Sequence, residues 1–571
     1  MSNLLPLPDR AASPERSGGE AHRRPTRRER GQALVLIAVA FIGLAAFIGL
    51  AVDAGILFTQ IGHLRRAVDA AALGAANQFR EGRTVAELTA AATEFINLNS
   101  VATGTAEVFI CEEPFTPGGP YSPAHDPTLC PLAGDPYRKF VRVEAEVIVN
   151  FAFLPIIGFY SVPIRADAVS ETAAVDLVLV IDTSPSMSYE LCYDETSPGV
   201  GRDNDGDGIA NDCPGQNGIA GPDPAESDVA TCNNNRLQRL ATSNDVTYPP
   251  ENDCHPFEEV RAAAQAMLQR MYFPYDRMAV VTFSRVGSRR ISLADGDDPL
   301  AVSNTIDGLL VDTNPFITGE APCDPSAGDP RGCGSTNVAD GLMVGGNLFG
   351  DPNGDGIASA GEVRQEAVWI LILLGDGAAN AAYHTDGGLD PNVNRDAWFC
   401  PNPSALAGQP NWVEPLCTDI DPSNTPSTTL GVGRHDVGVS PDLFDPDDAA
   451  RDMADFVGCP DANSPQPAAC SEPGQAAVIF AIGLGPEVTE TRCDDSVYGL
   501  GATCGNLGEE LLRYVAGAGD DANPGTPPAQ DPCAGVASGD DCGNYYYSPS
   551  GAGLLRVFEA IASRIFTRLT H

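Results

Sequence analysis

Asp182, Ser184 and Ser186 stand at alternate positions directly after an apolar run, and in a tight turn that spacing can bring one carboxylate and two hydroxyls around a single point. Small oxygen ligands of this kind suit a hard, octahedral cation such as Mg2+. The preceding run, Val175 to Ile181, is apolar except for Asp176, the pattern of a strand covered on both faces as in a parallel α/β sheet. The three oxygen donors would then lie just past that strand's carboxyl end, the edge at which open α/β sheets bind ligands. The same residues also suit a helix cap, in which Asp and Ser accept the unpaired N–H groups of a first turn.

Two later segments carry matching chemistry. Gly334-Ser335-Thr336-Asn337 opens a helical-looking run, Val338 to Phe349, and offers a further hydroxyl at a helix start. Ala367 to Leu374 reads as a second buried strand and ends in Gly375-Asp376-Gly377, which places a second carboxylate at another strand's carboxyl end. In these parts the chain resembles the von Willebrand factor type A (VWA) family, whose signature is Asp-x-Ser-x-Ser, then a Thr in a Gly/Ser-Thr-Asn turn, then an Asp after a strand. The resemblance implies a metal-dependent adhesion site (MIDAS) in which Ser184 and Ser186 ligate Mg2+ or Mn2+ directly. Asp182, Thr336 and Asp376 would do so directly or through water. It also implies an open position on the metal for an acidic residue supplied by a protein partner. Gly375 stands where the family often has Thr, and the interval from Ser186 to Thr336 is far longer than usual, which implies an insertion.

The elements that must position these residues alternate as a doubly wound α/β fold requires. Phe257 to Met271 places Phe257, Val260, Ala264, Met267, Leu268 and Met271 at helical spacing, and a strand follows at Met278 to Phe283. Another strand is expected at Ala476 to Leu484 and a helix at Gly508 to Ala516. A last helix, Gly551 to Leu569, puts Leu554, Leu555, Phe558, Ile561, Ile565 and Leu569 on one face. A VWA domain over residues 173–570 is expected to carry long inserted loops at about 189–255, 312–333 and 378–445.

The amino-terminal part suggests where such a domain is displayed. Residues 1–30 form an Arg- and Pro-rich tail with Arg23, Arg24, Arg27, Arg28 and Arg30 clustered before an uncharged stretch. That stretch, residues 31–52, is long enough to span a hydrocarbon core as a helix. A secretory signal is the competing reading, but no small-x-small cleavage site with a clear mature start follows the run. Arginines before the span and Asp53 after it fit the positive-inside rule, with Arg65 and Arg66 on the far side as an objection. The bulk of the chain is therefore expected outside the cytoplasm, on a single-pass cell-membrane anchor. Residues 28–78 resemble the start of TadE/TadG-like pilus-assembly proteins in the Gly-Gln-Ala start, the Ala-Val-Asp-Ala-Gly exit and the Val-Asp-Ala-Ala-Ala-Leu turn. The resemblance implies one long helix like a pilin stem. A prepilin peptidase would want Glu at the fifth position after Gly31, where Leu36 stands, so a retained anchor is expected. Phe140 to Val149 and Ser161 to Val169 alternate in polarity as strands do, and residues 53–172 are read as a stem with a small α+β, pseudopilin-like domain.

All 16 cysteines lie between Cys111 and Cys542, beyond the span. Even number and location favour disulfides over a zinc cluster, which would want Cys-x-x-Cys knuckles. Sequence neighbours are close enough for local pairs such as Cys323 with Cys333, Cys400 with Cys417, Cys459 with Cys470 and Cys493 with Cys504.

The 34 basic and 77 acidic residues give a net charge of −43, which disfavours nucleic acid as a partner. Part of the acid is organised. Asp351, Asn353 and Asp355 fall at positions 1, 3 and 5 of a loop with Gly356 at 6, Ile357 at 7 and Glu362 at 12, as an EF-hand Ca2+ loop requires. It should lie at the pole opposite the adhesion site. A second loop, with Asp203, Asp205, Asp207 and Asp212, resembles the Ca2+ repeats of thrombospondin. Asx turns without metal remain the alternative for both.

No Gly-x-Ser-x-Gly or His-Glu-x-x-His motif occurs, and Lys139, the single lysine, is in no Walker motif, so no enzyme is expected. The combined expectation is an anchored adhesion or assembly protein that acts on pilus or envelope components. The alternative is a structural envelope protein, braced by calcium and disulfides, with no active adhesion site.

Overall fold

The computed structural model describes residues 29–80, 84–99, 105–111, 117, 122–130, 138–192, 226–241, 253–284, 286–312, 336–357, 362–364, 366–382, 412–413, 418–419, 428–429, 434–436, 439–440, 443–460, 473–489, 506–519 and 532–568. A single helix, α1 (Glu29–Arg80), opens it. At 52 residues it is about 78 Å long. From Ala33 its first half is largely exposed and apolar, including Leu34, Phe41, Phe47 and Ile48. By length and composition this helix can cross a membrane. Its second half is amphipathic: Leu64, Ala67, Val68, Ala71, Ala75 and Phe79 recur at helical spacing and are buried. They pack on α2 (Val85–Leu98) and on an antiparallel sheet ordered β1 (Thr105–Ile110), β2 (Lys139–Asn150), β3 (Ser161–Thr172). Period-two alternation turns Val141, Val143, Ala145, Val147 and Val149 of β2 into that core.

Two residues after β3 the chain enters β4 (Val175–Asp182), the centre of a second sheet. With β5 (Arg277–Phe283), β6 (Gly287–Ile291), β7 (Val368–Gly375), a two-residue pair β8 (Trp412–Val413) and β9 (Thr418–Asp419) set apart, β10 (Val478–Leu484) and β11 (Tyr545–Ser548), the sheet order is β11-β10-β7-β4-β5-β6. Only β5 and β6 pair antiparallel in it. Every residue of β4 is buried, because helices cover both faces. Leu177, Leu179 and Ile181 face a core shared with α3 (Glu226–Ala241), α4 (Phe257–Leu268), α5 (Pro299–Asp307) and α10 (Leu554–Arg568). Val178 and Val180 face the other core, with α6 (Val338–Gly350), α7 (Pro446–Gly458), α8 (Pro486–Thr489) and α9 (Leu507–Ala518). Gly345 lets α6 lie directly on β4, since a Cβ there would come 2.8 Å from Val180 Cγ2.

From β4 the chain moves outward to β5 and β6 and then returns to β7 on the other side of β4. The carboxyl ends of β4 and β7 therefore flank the point where strand order reverses. The amino ends of the same strands rest on the stem. Tyr272 and Tyr275, between α4 and β5, reach Phe79 of α1 at ring-centroid distances of 5.6 Å, and Tyr275 donates to Cys111 O at 2.6 Å. Lys139, fully buried, donates to Asp276 Oδ1 at 2.7 Å, and Asp276 also accepts the N–H groups of Val175 and Tyr272. Nearby, Asp176 accepts from Arg277 at 2.6 and 2.9 Å and from Arg364. Burial opposes the Asp176 charge, but the two guanidinium groups outweigh it and hold its pKa below the usual carboxylate value.

Some details depart from expectation. Leu555 is 48% exposed, and Val557 takes the buried position instead, because α10 starts at Leu554 after a separate turn at Gly551–Gly553. The insertion expected at about 189–255 contains α3, tied down by Cys232–Cys254. Cys111–Cys130 and Cys533–Cys542 likewise join sequence neighbours, and Cys459 is disulfide-bonded. The expected pairs Cys323–Cys333, Cys400–Cys417 and Cys493–Cys504 lie outside the described residues, as does Cys470.

Candidate metal centre

Asp182 ends β4 opposite the end of β7, where Ile181 pairs with Leu374. Its Oδ1 accepts the Ser184 N–H at 2.7 Å, the local turn that a capping role requires. That turn uses one oxygen. The other, Oδ2, is fully buried and completes no well-formed hydrogen bond among the described residues. Ser184 Oγ and Ser186 Oγ lie 2.8 Å apart, so the two hydroxyls of the motif converge as the alternate spacing implied. Thr183, between them and the strand, is pinned through its N–H and Oγ1 to Phe283 O at 2.7 and 3.0 Å. Its carbonyl accepts the Asp312 N–H at 2.7 Å, and Asp312 Oδ2 accepts from Ser284 Oγ at 2.6 Å.

Asp376 immediately follows β7, and its backbone N–H is directed at the Asp182 carboxylate. A Cβ on Gly375 would sit 3.9 Å from Asp182 Oδ2, ordinary contact, so glycine at this position is not forced by crowding. Thr336 is brought to the same place by Asn380. Thr336 N donates to Asn380 Oδ1 at 2.6 Å and Asn380 N donates back to Thr336 O at 3.2 Å. The cap of α6 is made by Asn337, whose side chain accepts the Asp340 N–H at 3.0 Å, so capping does not claim the Thr336 hydroxyl. Asn337 N in turn donates to Ser284 O at 2.8 Å, which closes the ring of elements around the turn. The five expected residues thus fall at one sheet edge. Asn380, Ser284 and Asp312, which hold them, were not anticipated; only closeness to Asp376 could have flagged Asn380.

Burial pushes the Asp182 pKa up to about 7, against the pull of the Ser184 hydroxyl and N–H and of the Asp376 N–H. A carboxylate so placed is poised to exchange its proton for a cation. Two buried carboxylates with hydroxyls beside them form an oxygen-only donor set, which fits a hard divalent cation rather than a thiophilic one.

The second acidic site is at the far end of α6. Asp351 Oδ1 and Oδ2 accept the Gly354 and Gly356 N–H groups at 3.0 and 2.7 Å, Asn353 Oδ1 accepts from Asp355 N at 2.9 Å, and Asp355 Oδ1 accepts from Ile357 N at 2.8 Å. Gly356 has φ +85°, the left-handed turn that position 6 of such a loop needs. Glu362 Oε2 is buried and meets no hydrogen-bond partner among the described residues. The loop with Asp203, Asp205, Asp207 and Asp212 lies outside the described residues. Asp445, Asp447 and Asp448 also cluster, but Asp445 accepts the N–H groups of the other two and Asp447 pairs with Arg451, so they start α7 as a cap.

No family model and no characterised sequence matches the chain. Among solved structures, it is similar to the vWF domain of the type V pili tip protein Mfa5 from Porphyromonas gingivalis, with 15% identity, coverage of 70% of this chain and 97% of that one, and a TM-score of 0.31. The pilus adhesin SpaC from Lactobacillus rhamnosus GG gives 12% identity, coverage of 77% and 34%, and a TM-score of 0.31. Mussel byssus proximal thread matrix protein 1, in a structure with a zinc-occupied MIDAS motif, gives 12% identity, coverage of 69% and 46%, and a TM-score of 0.26. At these TM-scores the likenesses carry no functional weight, and the reading of the site rests on the chain's own residues.

Proposed function

We propose that this chain is a membrane-anchored adhesion or assembly protein that docks a partner through a divalent cation, Mg2+ or Mn2+, held by Asp182, Ser184, Ser186, Thr336 and Asp376. The observation that carries the reading is Asp182 Oδ2, a carboxylate oxygen buried at the topological switch point that completes no well-formed hydrogen bond among the described residues, with the Asp376 N–H directed at the same carboxylate. Burial of such a charge is costly unless a cation joins it. The cation would supply a positive charge with an open position that accepts a carboxylate of the partner. The chain's own residues do the positioning: Thr183 and Asp312 fix the serine turn, and Asn380 ties Thr336 to the segment that follows Asp376. Ser184 Oγ lies 2.8 Å from Ser186 Oγ and also leans on the Asp182 carboxylate, so the hydroxyls and the carboxylate converge as ligands of one cation would.

Location follows the same reading. The apolar half of α1 anchors the protein, the Arg-rich tail stays on the cytoplasmic side, and the folded part faces outward. β4 runs from the stem contact at Val175 to Asp182, about 23 Å, so the site is presented on the side away from the anchor. Pilus or envelope components of a Tad-like system are the partners this arrangement suits. Ca2+ at Asp351, Asn353, Asp355, Ile357 and Glu362 would brace the opposite pole. Capture of partner from envelope extracts by wild type and Asp182→Ala, in Mg2+ and after EDTA, tests the reading. Recovery with wild type in Mg2+ alone is expected; equal recovery from both proteins sinks it.

A further inference from the structure

We propose that the tip of the β2–β3 hairpin, residues 151–160, dips into the bilayer beside α1 as a second, interfacial anchor in the leaflet that faces the folded domains. The proposal rests on the reading of α1 as a membrane anchor. Within the exposed half of α1, Gly49 is buried, and what covers it is the tip: a Cβ on Gly49 would lie 2.9 Å from Phe153 Cβ. One turn further on, the buried Asp53 accepts the N–H groups of Ala152, Phe153 and Leu154 at 2.7 to 3.2 Å. Gly49 belongs to the apolar span itself, so Phe153 is held at the depth of that span.

The tip has the chemistry for that depth. From Phe151 to Ile164 no residue is charged. Ile156, Ile157 and Tyr160 are 82%, 68% and 69% exposed, and Phe153 and Phe159 are exposed beside them. Apolar side chains gathered on a loop tip in water are unfavourable, whereas Phe and Tyr at the membrane–water boundary are enriched. Much of the tip's backbone is also paired internally, as suits a medium without water, in which each unpaired N–H costs several kcal/mol. Phe151 N donates to Tyr160 O, the next three N–H groups go to Asp53, Pro155 has none, Ile156 N donates to Phe153 O, Gly158 N to Pro155 O and Phe159 N to Leu154 O. Gly158, at φ +98°, makes the left-handed turn that closes this knot. A lipid surface meets all of these requirements together, and continuity with the anchor helix says which face of the membrane it is.

The test uses the full chain in phosphatidylcholine liposomes that carry a photoactivatable diazirine on the acyl chain, with lipid adducts mapped by mass spectrometry. Adducts are expected on residues 33–52 and on 153–160, with none on the exposed Leu237 and Leu240 of α3. In the double variant Ile156→Asp and Ile157→Asp, whose side chains are exposed and so not needed for folding, adducts at the tip should fall about tenfold or more while those on 33–52 persist. Adducts on 33–52 with none at the tip overturn the proposal and leave the anchor intact. Absence from both overturns the anchor reading too. Crosslinks from the tip to a second copy of the chain, in place of lipid, also overturn it.

Discussion

Asp182→Asn keeps the shape of the side chain and the Oδ1 acceptor for Ser184 N but removes the charge. In the metal-free protein the consequence can be worked out. Burial raises the folded-state pKa to about 7 from 3.8, so between these values the folded state holds a proton that the unfolded state has lost. Stability therefore falls as pH rises through that window. Each pKa unit is worth about 1.4 kcal/mol, so the full cost above pH 7 approaches about 4 kcal/mol, and relaxation of the site around the charge reduces it to about 1 to 4. Denaturant melts of wild type and variant in EDTA at pH 8 should show the variant more stable by that amount. At pH 5 wild-type Asp182 is protonated in the folded state, and the difference should shrink. Mg2+ at about 100 times its dissociation constant should then stabilise wild type by roughly 2.7 kcal/mol and leave the variant unmoved. A pH-independent difference, or equal Mg2+ stabilisation of both proteins, would refute the reasoning.

Other perturbations probe the supports. Asn380→Ala removes the reciprocal tie to Thr336, and metal affinity should drop about 10- to 100-fold in a calorimetric titration while the fold persists. Lys139→Met leaves Asp276 buried without its cation, so circular-dichroism melts should show a loss of roughly 3 to 5 kcal/mol at the junction of stem and α/β unit. Gly345→Val forces α6 off Val180 and should cost about 1 to 3 kcal/mol, with a parallel loss of metal affinity because Thr336 directly precedes that helix's cap residue.

The pattern of what could be read beforehand has a physical cause. Val175 to Ile181 and Ala367 to Leu374 announce themselves because a strand buried on both faces has to be apolar throughout, and the ligands that follow them are local to those strands. β6 is too polar in Gly-Ser-Arg-Arg-Ile to stand out, since as an antiparallel edge strand it exposes its central residues. α7 has an acidic start, Asp445-Pro446-Asp447-Asp448, that resembles a loop until its capping box is seen to close. Asn380, Ser284 and Asp312 act through contacts between segments far apart in the chain, and nothing in local spacing marks them. The exposed apolar residues of the hairpin tip are equally silent in sequence, because their meaning depends on Asp53 and Gly49 lying against them.

The central claim is that Asp182 and its neighbours form a cation site, and Mn2+ binding measured by electron paramagnetic resonance on the full chain at pH 7.5 tests it most directly. With the Ca2+-type loops saturated by excess Ca2+, wild type should bind one Mn2+ that Mg2+ displaces, and Asp182→Ala, folded by circular dichroism, should bind none there. Equal Mn2+ binding by the two proteins, or none by either, would contradict the account.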